Sequence, residues 1–291
     1  MARDVFSLDE GLHAAWLAAA RYAARELDLG GRLGEALPAR WRALAEVLTL
    51  EGDLVRTDGG WALAASVPAE LASTHSSELG GQLVTALRDD RARSTPAEHP
   101  GYQRHLASVG RPAAEALWQK VARVEEGYET LLDLGGGLGT YAAAWAAGGS
   151  ARRATVVDRA AVLSLAEATP RLRPLAADLL SDDWGGDFDC ALLCNVLHLY
   201  DEPTARALLR RAAGAVRPGG VVVVKDLYVD ADRLGPAAGL WFSLNMALYT
   251  DGGVAHDVEV LRRGLGEAGV ATVESLRLPE APDSVVLWGR R

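Results

Sequence analysis

The chain has 291 residues, 49% of them hydrophobic and 24% charged, which is enough apolar material for one large globular domain or two ordinary ones. Its net charge of -9 opposes the field that gathers phosphate backbones or anionic lipid, so neither nucleic acid nor a membrane is an expected partner. The two cysteines, Cys190 and Cys194, supply neither a disulfide framework nor a zinc quartet, which suits a reducing cytoplasm.

Arg3 near the start is followed by Asp4, Asp9 and Glu10, and His13 interrupts the next apolar run, unlike a secretory signal. The uncharged stretches 134–151 and 234–250 are broken by glycine or by Pro236 and Asn245, so neither reads as a membrane span. A cytoplasmic protein is expected.

Ser7 and Glu10 have capping-box spacing, and Leu12, Trp16, Ala19, Ala23 and Leu27 then recur at helical period as far as Gly30 and Gly31. Leu37, Trp41, Leu44 and Leu48 predict a second helix. Leu54 and Val55, a turn at Asp58, Gly59 and Gly60, then Trp61 and Leu63 predict a short hairpin. Helices followed by a hairpin describe a small winged-helix-like unit, which either binds DNA or pairs subunits. The acidic balance, with Arg40 and Arg42 set against Glu46 before the wing, favours pairing. Trp16, Trp41 and Leu44 offer more apolar surface than so small a unit buries by itself, so a homodimer is expected.

Residues 88–101 are charged, carry Pro96 and Pro100 and lack apolar period. The linker is placed there, dividing a dimerisation unit over 1–95 from a larger domain over 96–291. After a helix around 102–126, the runs TLLDL, ATVVD, LRPLAAD, FDCALLCN and VVVVK alternate with helical stretches near 140–147, 160–168 and 202–216. Helices near 236–249 and 257–268 and the strands ATVESLRL and SVVLWG close the pattern. The alternation predicts an α/β fold: a doubly wound, Rossmann-like sheet of seven strands, beside a small, mostly helical N-terminal unit.

Asp133, Leu134, Gly135, Gly136, Gly137, Leu138 and Gly139 stand where an apolar strand gives way to a helix. Glycines there let backbone approach a ligand closely. Asp133, at the carboxyl edge of its strand, is placed to meet the ammonium of an amino-acid moiety or, failing that, to cap the helix. Asp158 stands nineteen residues beyond Gly139, at the end of the next strand, close to the spacing of about 20 at which an acid takes ribose hydroxyls. Asp178 follows the third strand, near the place of an adenine amino group. The three acids sit at successive strand ends on one rim. Gly137, Gly139 and Ala142 also satisfy a relaxed dinucleotide fingerprint, but no Tyr-x-x-x-Lys pair follows to handle hydride chemistry.

His198, in CNVLHLYDEP after the fourth strand, reaches the same rim. An imidazole there suits taking a proton from a hydroxyl, and capping the helix that starts near Glu202 is the structural alternative. His256 precedes Asp257 and Glu259 at a helix start, where capping is expected. His13, His75, His99 and His105 lie outside the sheet and read as ordinary. Trp241 and Asn245 share one face of an uncharged helix, and Phe242, Met246 and Tyr249 share the next, so this helix is either core or the wall of a pocket for a small molecule.

Taken in order, LLDLGGGLG, VVDR, VLHLYDEP and LNMALYTDGG resemble four segments of the class I S-adenosylmethionine-dependent methyltransferases. These are the glycine loop, the ribose strand, the catalytic-histidine segment and the pocket helix. Within that class the chain is similar to the O-methyltransferases with a winged-helix dimerisation domain, the plant phenolic and bacterial polyketide type. The resemblance implies S-adenosylmethionine as cofactor, no metal, and methylation of a hydroxyl on a small aromatic or polyketide-like acceptor. It puts Asp133, Gly135, Gly136, Gly137 and Gly139 at the methionine part of the cofactor, Asp158 and Arg159 at the ribose, and Asp178 and Leu179 at the adenine. Asn195 joins the cofactor side, His198 falls on the general base, and Trp241, Asn245 and Met246 fall on the acceptor pocket.

The family often has His-Asp-Trp where this chain has His198, Leu199 and Tyr200. One partner carboxylate of the family falls near Lys225 or Asp226, and another falls at Ala255, so Asp226 is the candidate to orient His198. The N-terminal unit is also shorter than the family's. Some relatives keep the cofactor site and run hydroxylation, decarboxylation or cyclisation instead, and that is the first alternative. A ligand-sensing winged-helix regulator is the alternative of another class.

Overall fold

The amphipathic period of the opening segment forms α1 (Glu10–Glu26), which turns Trp16, Ala19, Ala20 and Ala23 inward. The computed structural model describes residues 10–33, 36–64, 78–93, 98–121, 127–167 and 169–291. Ser7, His75, Pro96 and the boundary placed between residues 95 and 96 lie outside these. Helix α2 (Ala39–Leu50) leads into the hairpin β1 (Leu54–Thr57) and β2 (Gly60–Leu63), paired antiparallel with Thr57 opposite Gly60. Helices α3 (Glu78–Asp89) and α4 (Pro100–Val121) follow.

From Thr130 the chain alternates. Strands β3 (Thr130–Leu134), β4 (Arg153–Asp158), β5 (Leu172–Ala176), β6 (Phe188–Cys194) and β7 (Val216–Val229) enclose α5 (Thr140–Ala147), α6 (Ala160–Leu163) and α7 (Glu202–Ala215). Then come α8 (Ala237–Tyr249), β8 (His256–Asp257), α9 (Val258–Glu267), β9 (Ala271–Leu278) and β10 (Ala281–Arg290). Of the expected helix over 160–168 only Ala160–Leu163 is α-helical; Leu165 and Ala166 then donate N–H three residues back, to the Val162 and Leu163 carbonyls at 3.0 and 3.1 Å, in the tighter 3-10 pattern.

The strands form one sheet in the order β5-β4-β3-β6-β7-β10-β9, and β8 pairs β7 off this path. The first five are parallel and β10 is antiparallel to both neighbours. This is the doubly wound plan. The strand order reverses between β3 and β6, and the crevice outside the carboxyl ends of those two strands is where such sheets receive ligands.

The apolar residues that argued for a subunit partner have an internal destination. Trp16, Trp41 and Leu44 are buried in one core with Leu227, Leu240, Trp241, Phe242 and Leu244, so the N-terminal helices cover α8 of the same chain. Buried Arg40 joins the seam: it donates to the Ala247 carbonyl and pairs with Asp90 at 3.0 Å and Asp251 at 3.2 Å. Arg233 forks onto Glu46 at 2.6 and 2.9 Å. The linker residues Ala92 and Arg93 donate their backbone N–H groups to Asp251 and to the Leu248 carbonyl, both at 2.8 Å.

Candidate active site

At the end of β3 the glycine loop turns back onto β4. Gly135 and Gly136 both donate N–H to the Val157 carbonyl, at 2.8 and 3.2 Å, and Gly137 donates to Asp158 Oδ2 at 2.9 Å. Gly135 has φ of +68°, and a Cβ there would stand 2.6 Å from Val196 Cγ2 and 3.6 Å from Leu179 Cδ1. Only glycine lets the loop approach the segments after β5 and β6 this closely.

Asp133 is 1% exposed, and among the described residues its Oδ2 has no hydrogen-bond partner. Burial pushes its carboxyl up to about 7, and the neighbouring charge of Asp158 adds to that, against a backbone hydrogen bond from Ala142. An orphaned buried carboxylate oxygen is costly until a ligand supplies a donor. The loop therefore fits a ligand carrying an amine.

Half-buried Asp158 also accepts from the Arg159 N–H at 2.7 Å, so both its oxygens face backbone donors at the rim. The Arg159 side chain reaches outward to Glu98, at 2.8 Å. Asp178 shapes its own turn, its Oδ1 accepting from Leu180 N, Ser181 N and Ser181 Oγ. The two backbone bonds hold its carboxyl below the usual range. Asn195 has φ of +57°, and its side-chain oxygen accepts from Lys225 Nζ at 3.2 Å. That oxygen is engaged within the sheet, beside Lys225 and Ser284.

His198 occupies a short 3-10 turn, Leu197–Leu199, immediately after Val196, whose side chain meets Gly135. Its ring Nδ1 lies 2.5 Å from Asp226 Oδ1, and its backbone N–H donates to Asp226 Oδ2 at 3.2 Å. Asp226 also accepts from Leu227 N. Burial alone would raise the Asp226 carboxyl, but the charge and hydrogen bonds of His198 outweigh it and hold the group below its ordinary value. A carboxylate accepts, so Nδ1 carries a hydrogen whether the ring is charged or neutral, and in the neutral ring the lone pair is on Nε2. Phe242 of α8 stands edge-on to the imidazole, with ring centroids 4.7 Å apart.

The faces of α8 divide differently from expectation. Trp241 is buried in the core shared with the N-terminal helices and meets His13 edge-on at 5.2 Å, so it belongs to the seam rather than to an open pocket wall. His13 itself bonds Glu51 at 3.0 Å. Phe242, one residue on and about 100° round the helix, faces His198. Asn245 is half-buried and Met246 buried on the same helix.

His256 does not cap α9. Asp257 does, accepting from Glu259 N at 2.8 Å, while His256 turns inward and its Nε2 meets the Leu197 carbonyl at 3.0 Å. Gln103 was also missed: this buried residue of α4 would touch a Cβ at Gly137 through its Oε1 at 3.4 Å, which puts it beside the glycine loop. Its only local signal is a place in an amphipathic helix. Tyr200 is half-buried, and burial together with the charges of Asp178 and Asp158 raises its hydroxyl above the usual range, so it borders the same rim.

Residues 89–270 match the family model of the O-methyltransferase domain. The chain is 31% identical over 170 residues to the 3-hydroxy-5-methyl-1-naphthoate 3-O-methyltransferase of Streptomyces sahachiroi, covering 56% of this chain and 49% of that one. It is 31% identical over 176 residues to the tetracenomycin polyketide synthesis 8-O-methyl transferase of Streptomyces glaucescens, covering 56% and 50%. The chain thus spans about half the length of the curated relatives it matches. An O-methyltransferase family 2 protein from Planctomyces limnophilus, solved in complex with apigenin, matches at a TM-score of 0.74 over 100% of both chains. At 21% identity that likeness shows the fold.

Proposed function

This chain belongs to the O-methyltransferase family, and on that footing we propose that it transfers a methyl group from S-adenosylmethionine to a hydroxyl oxygen of a small aromatic or polyketide-like acceptor. The observation that carries this reading is the contact of His198 with Asp226, on a turn that begins beside the glycine loop. The relatives act, by their names, on a naphthoate and in tetracenomycin polyketide synthesis, which supports the acceptor class.

Asp133 and the glycines 135–139 would hold the amino-acid end of the cofactor, the orphaned Asp133 oxygen receiving its ammonium. Asp158 would take the ribose hydroxyls, exchanging part of its hold on backbone N–H groups, and Asp178, Leu179 and Tyr200 would flank the adenine. When bound, S-adenosylmethionine would supply a methyl group already activated on a sulfonium, with the neutral thioether as its leaving group. His198 Nε2 would take the hydroxyl proton of the acceptor, and Asp226 would stabilise the imidazolium that results. Phe242, Asn245 and Met246 would line the acceptor side. The rest of the acceleration comes from holding the two reactants in line.

A homodimer built on the unit over 1–95 belongs to this proposal, with 96–291 as the catalytic domain. Exposed Val55 and Leu63 on the hairpin support a partner surface there. Light scattering of a monomer at micromolar concentration removes that part.

The decisive experiment incubates the protein with methyl-labelled S-adenosylmethionine and a panel of phenolic and polyketide-like hydroxy compounds, and reads products by mass spectrometry. The expected product carries one labelled methyl group on oxygen. A product hydroxylated, decarboxylated or cyclised without the label assigns the altered chemistry instead. Failure of the cofactor to bind in calorimetry overturns both.

A further inference from the structure

The peptide unit joining Leu197 to His198 is held at both ends by side chains from two paired strands. Its N–H donates to Asp226 Oδ2 at 3.2 Å, and its carbonyl meets His256 Nε2 at 3.0 Å. A carbonyl can only accept, so His256 Nε2 carries a hydrogen. Asp226 lies on β7 and His256 on β8, and these strands pair in parallel with Tyr228 opposite His256. The same carbonyl takes Tyr200 N at 3.1 Å, and the turn is closed by Leu199 N on the Val196 carbonyl, also at 3.1 Å. The turn before β8 presses on the backbone just beyond this unit: a Cβ at Gly253 would stand 2.4 Å from the His198 carbonyl oxygen and 3.0 Å from Leu199 C.

The rings of His198 and His256 sit among few charges. Asp226 comes from β7, and Asp201 and Glu202 come from the start of α7, while α8 contributes the Phe242 ring. His256 is buried, and burial pulls its pKa down, so it serves as a neutral donor. Buried Ala255 precedes it and presents no polar group.

We propose that His256 is a positioning residue for His198: its hydrogen bond to the Leu197 carbonyl fixes the Leu197–His198 peptide, and so holds the catalytic imidazole in register with Asp226. His256 acts through the peptide and touches neither reactant. Three residues of 3-10 turn have poor internal hydrogen-bond geometry, and a rotation of that one peptide moves the ring it carries. An error of about 1 Å in such a group costs on the order of 10²-fold in rate. The inference rests on His198 being the general base.

The test compares His256→Gln, which keeps an N–H donor at similar reach, with His256→Leu, which removes the donor at similar volume, and with His198→Gln. Methyl-transfer kinetics, cofactor titration, thermal melts and the downfield proton spectrum are recorded for each. His256→Leu should lower kcat about 10- to 100-fold, leave KM and cofactor affinity nearly unchanged, and shift the acid limb of the pH–rate profile. His256→Gln should recover most of the rate. The proton shared by His198 Nδ1 and Asp226 should resonate as in wild type in His256→Gln and be moved or broadened in His256→Leu.

Wild-type kcat and an unmoved proton signal in His256→Leu overturn the proposal. So does a Gln variant that melts normally yet loses as much rate as the Leu variant. Should the Leu variant not fold, His256→Asn, whose donor falls short of the carbonyl, takes its place, and equal rates for Asn and Gln overturn the idea. Full turnover in His198→Gln sinks the base assignment alone, because the proton signal reads the clamp without reference to catalysis.

Discussion

Asp226 meets His198 twice, once at the ring Nδ1 at 2.5 Å and once at the backbone amide at 3.2 Å. One carboxylate thus sets both the tautomer of the imidazole and the path of the chain that carries it. Asp226→Asn keeps the shape but offers an amide that can donate to Nδ1, favouring the tautomer whose Nε2 bears the proton. The expected loss in kcat is about 10²- to 10⁴-fold, with cofactor affinity unchanged. Steady-state kinetics beside calorimetry check it, and an Asn variant of wild-type speed would contradict the tautomer argument.

His198→Gln retains volume and one hydrogen bond but no basic nitrogen. Turnover should fall by about 10²- to 10⁴-fold, and the acid limb of the pH–rate profile should disappear with it. Melting near the wild-type temperature is part of the expectation, since the loss is meant to be chemical. A variant that fails to fold or to bind cofactor would mark a structural histidine instead.

Asp133 gives a pH signature to the ligand-free protein. Its ordinary value of 3.8 is pushed up to about 7 by burial, so the folded state holds this proton more tightly than the unfolded chain does. That contribution to stability is complete below a pH of about 3.8 and is lost as pH rises through about 7. Asp133→Asn has nothing to titrate there. Melted without cofactor at a pH of about 8, the variant should be more stable than wild type, yet it should bind S-adenosylmethionine more weakly by about 1–3 kcal/mol. A variant that melts lower than wild type at that pH would contradict the argument, because the ionised carboxylate would then be stabilised where it lies.

Asp158→Ala removes two acceptor oxygens at the rim and frees the Gly137 N–H. Cofactor affinity should drop by about 1–3 kcal/mol in calorimetry. Unchanged affinity would detach this acid from the ribose.

Trp241→Ala should act on stability before chemistry. The side chain is almost fully buried between α8 and the N-terminal helices, and its removal leaves a cavity worth about 3–5 kcal/mol. Denaturant melts should register that loss. A small stability change combined with a large rise in KM for the acceptor would return Trp241 to the pocket wall.

Sequence by itself determined what rests on local rules. Strand and helix periods placed β3 and α5 at their observed bounds, and the glycine loop with the acids Asp133, Asp158 and Asp178 announced one rim of one sheet, because strand ends and turn residues are short-range features. Tertiary structure decided what depends on register and on which surface covers which. Lys225 and Asp226 are neighbours whose side chains point to opposite faces. The pairing of Cys194 with Lys225 sends the lysine toward Asn195 and Ser284 and leaves the aspartate for His198. The same holds for Trp16 and Trp41, whose apolar period reads identically whether a second subunit or α8 covers them. His256 reads as a helix cap until β8 pairs with β7, and only that pairing, between residues far apart in the chain, brings it to the Leu197 carbonyl.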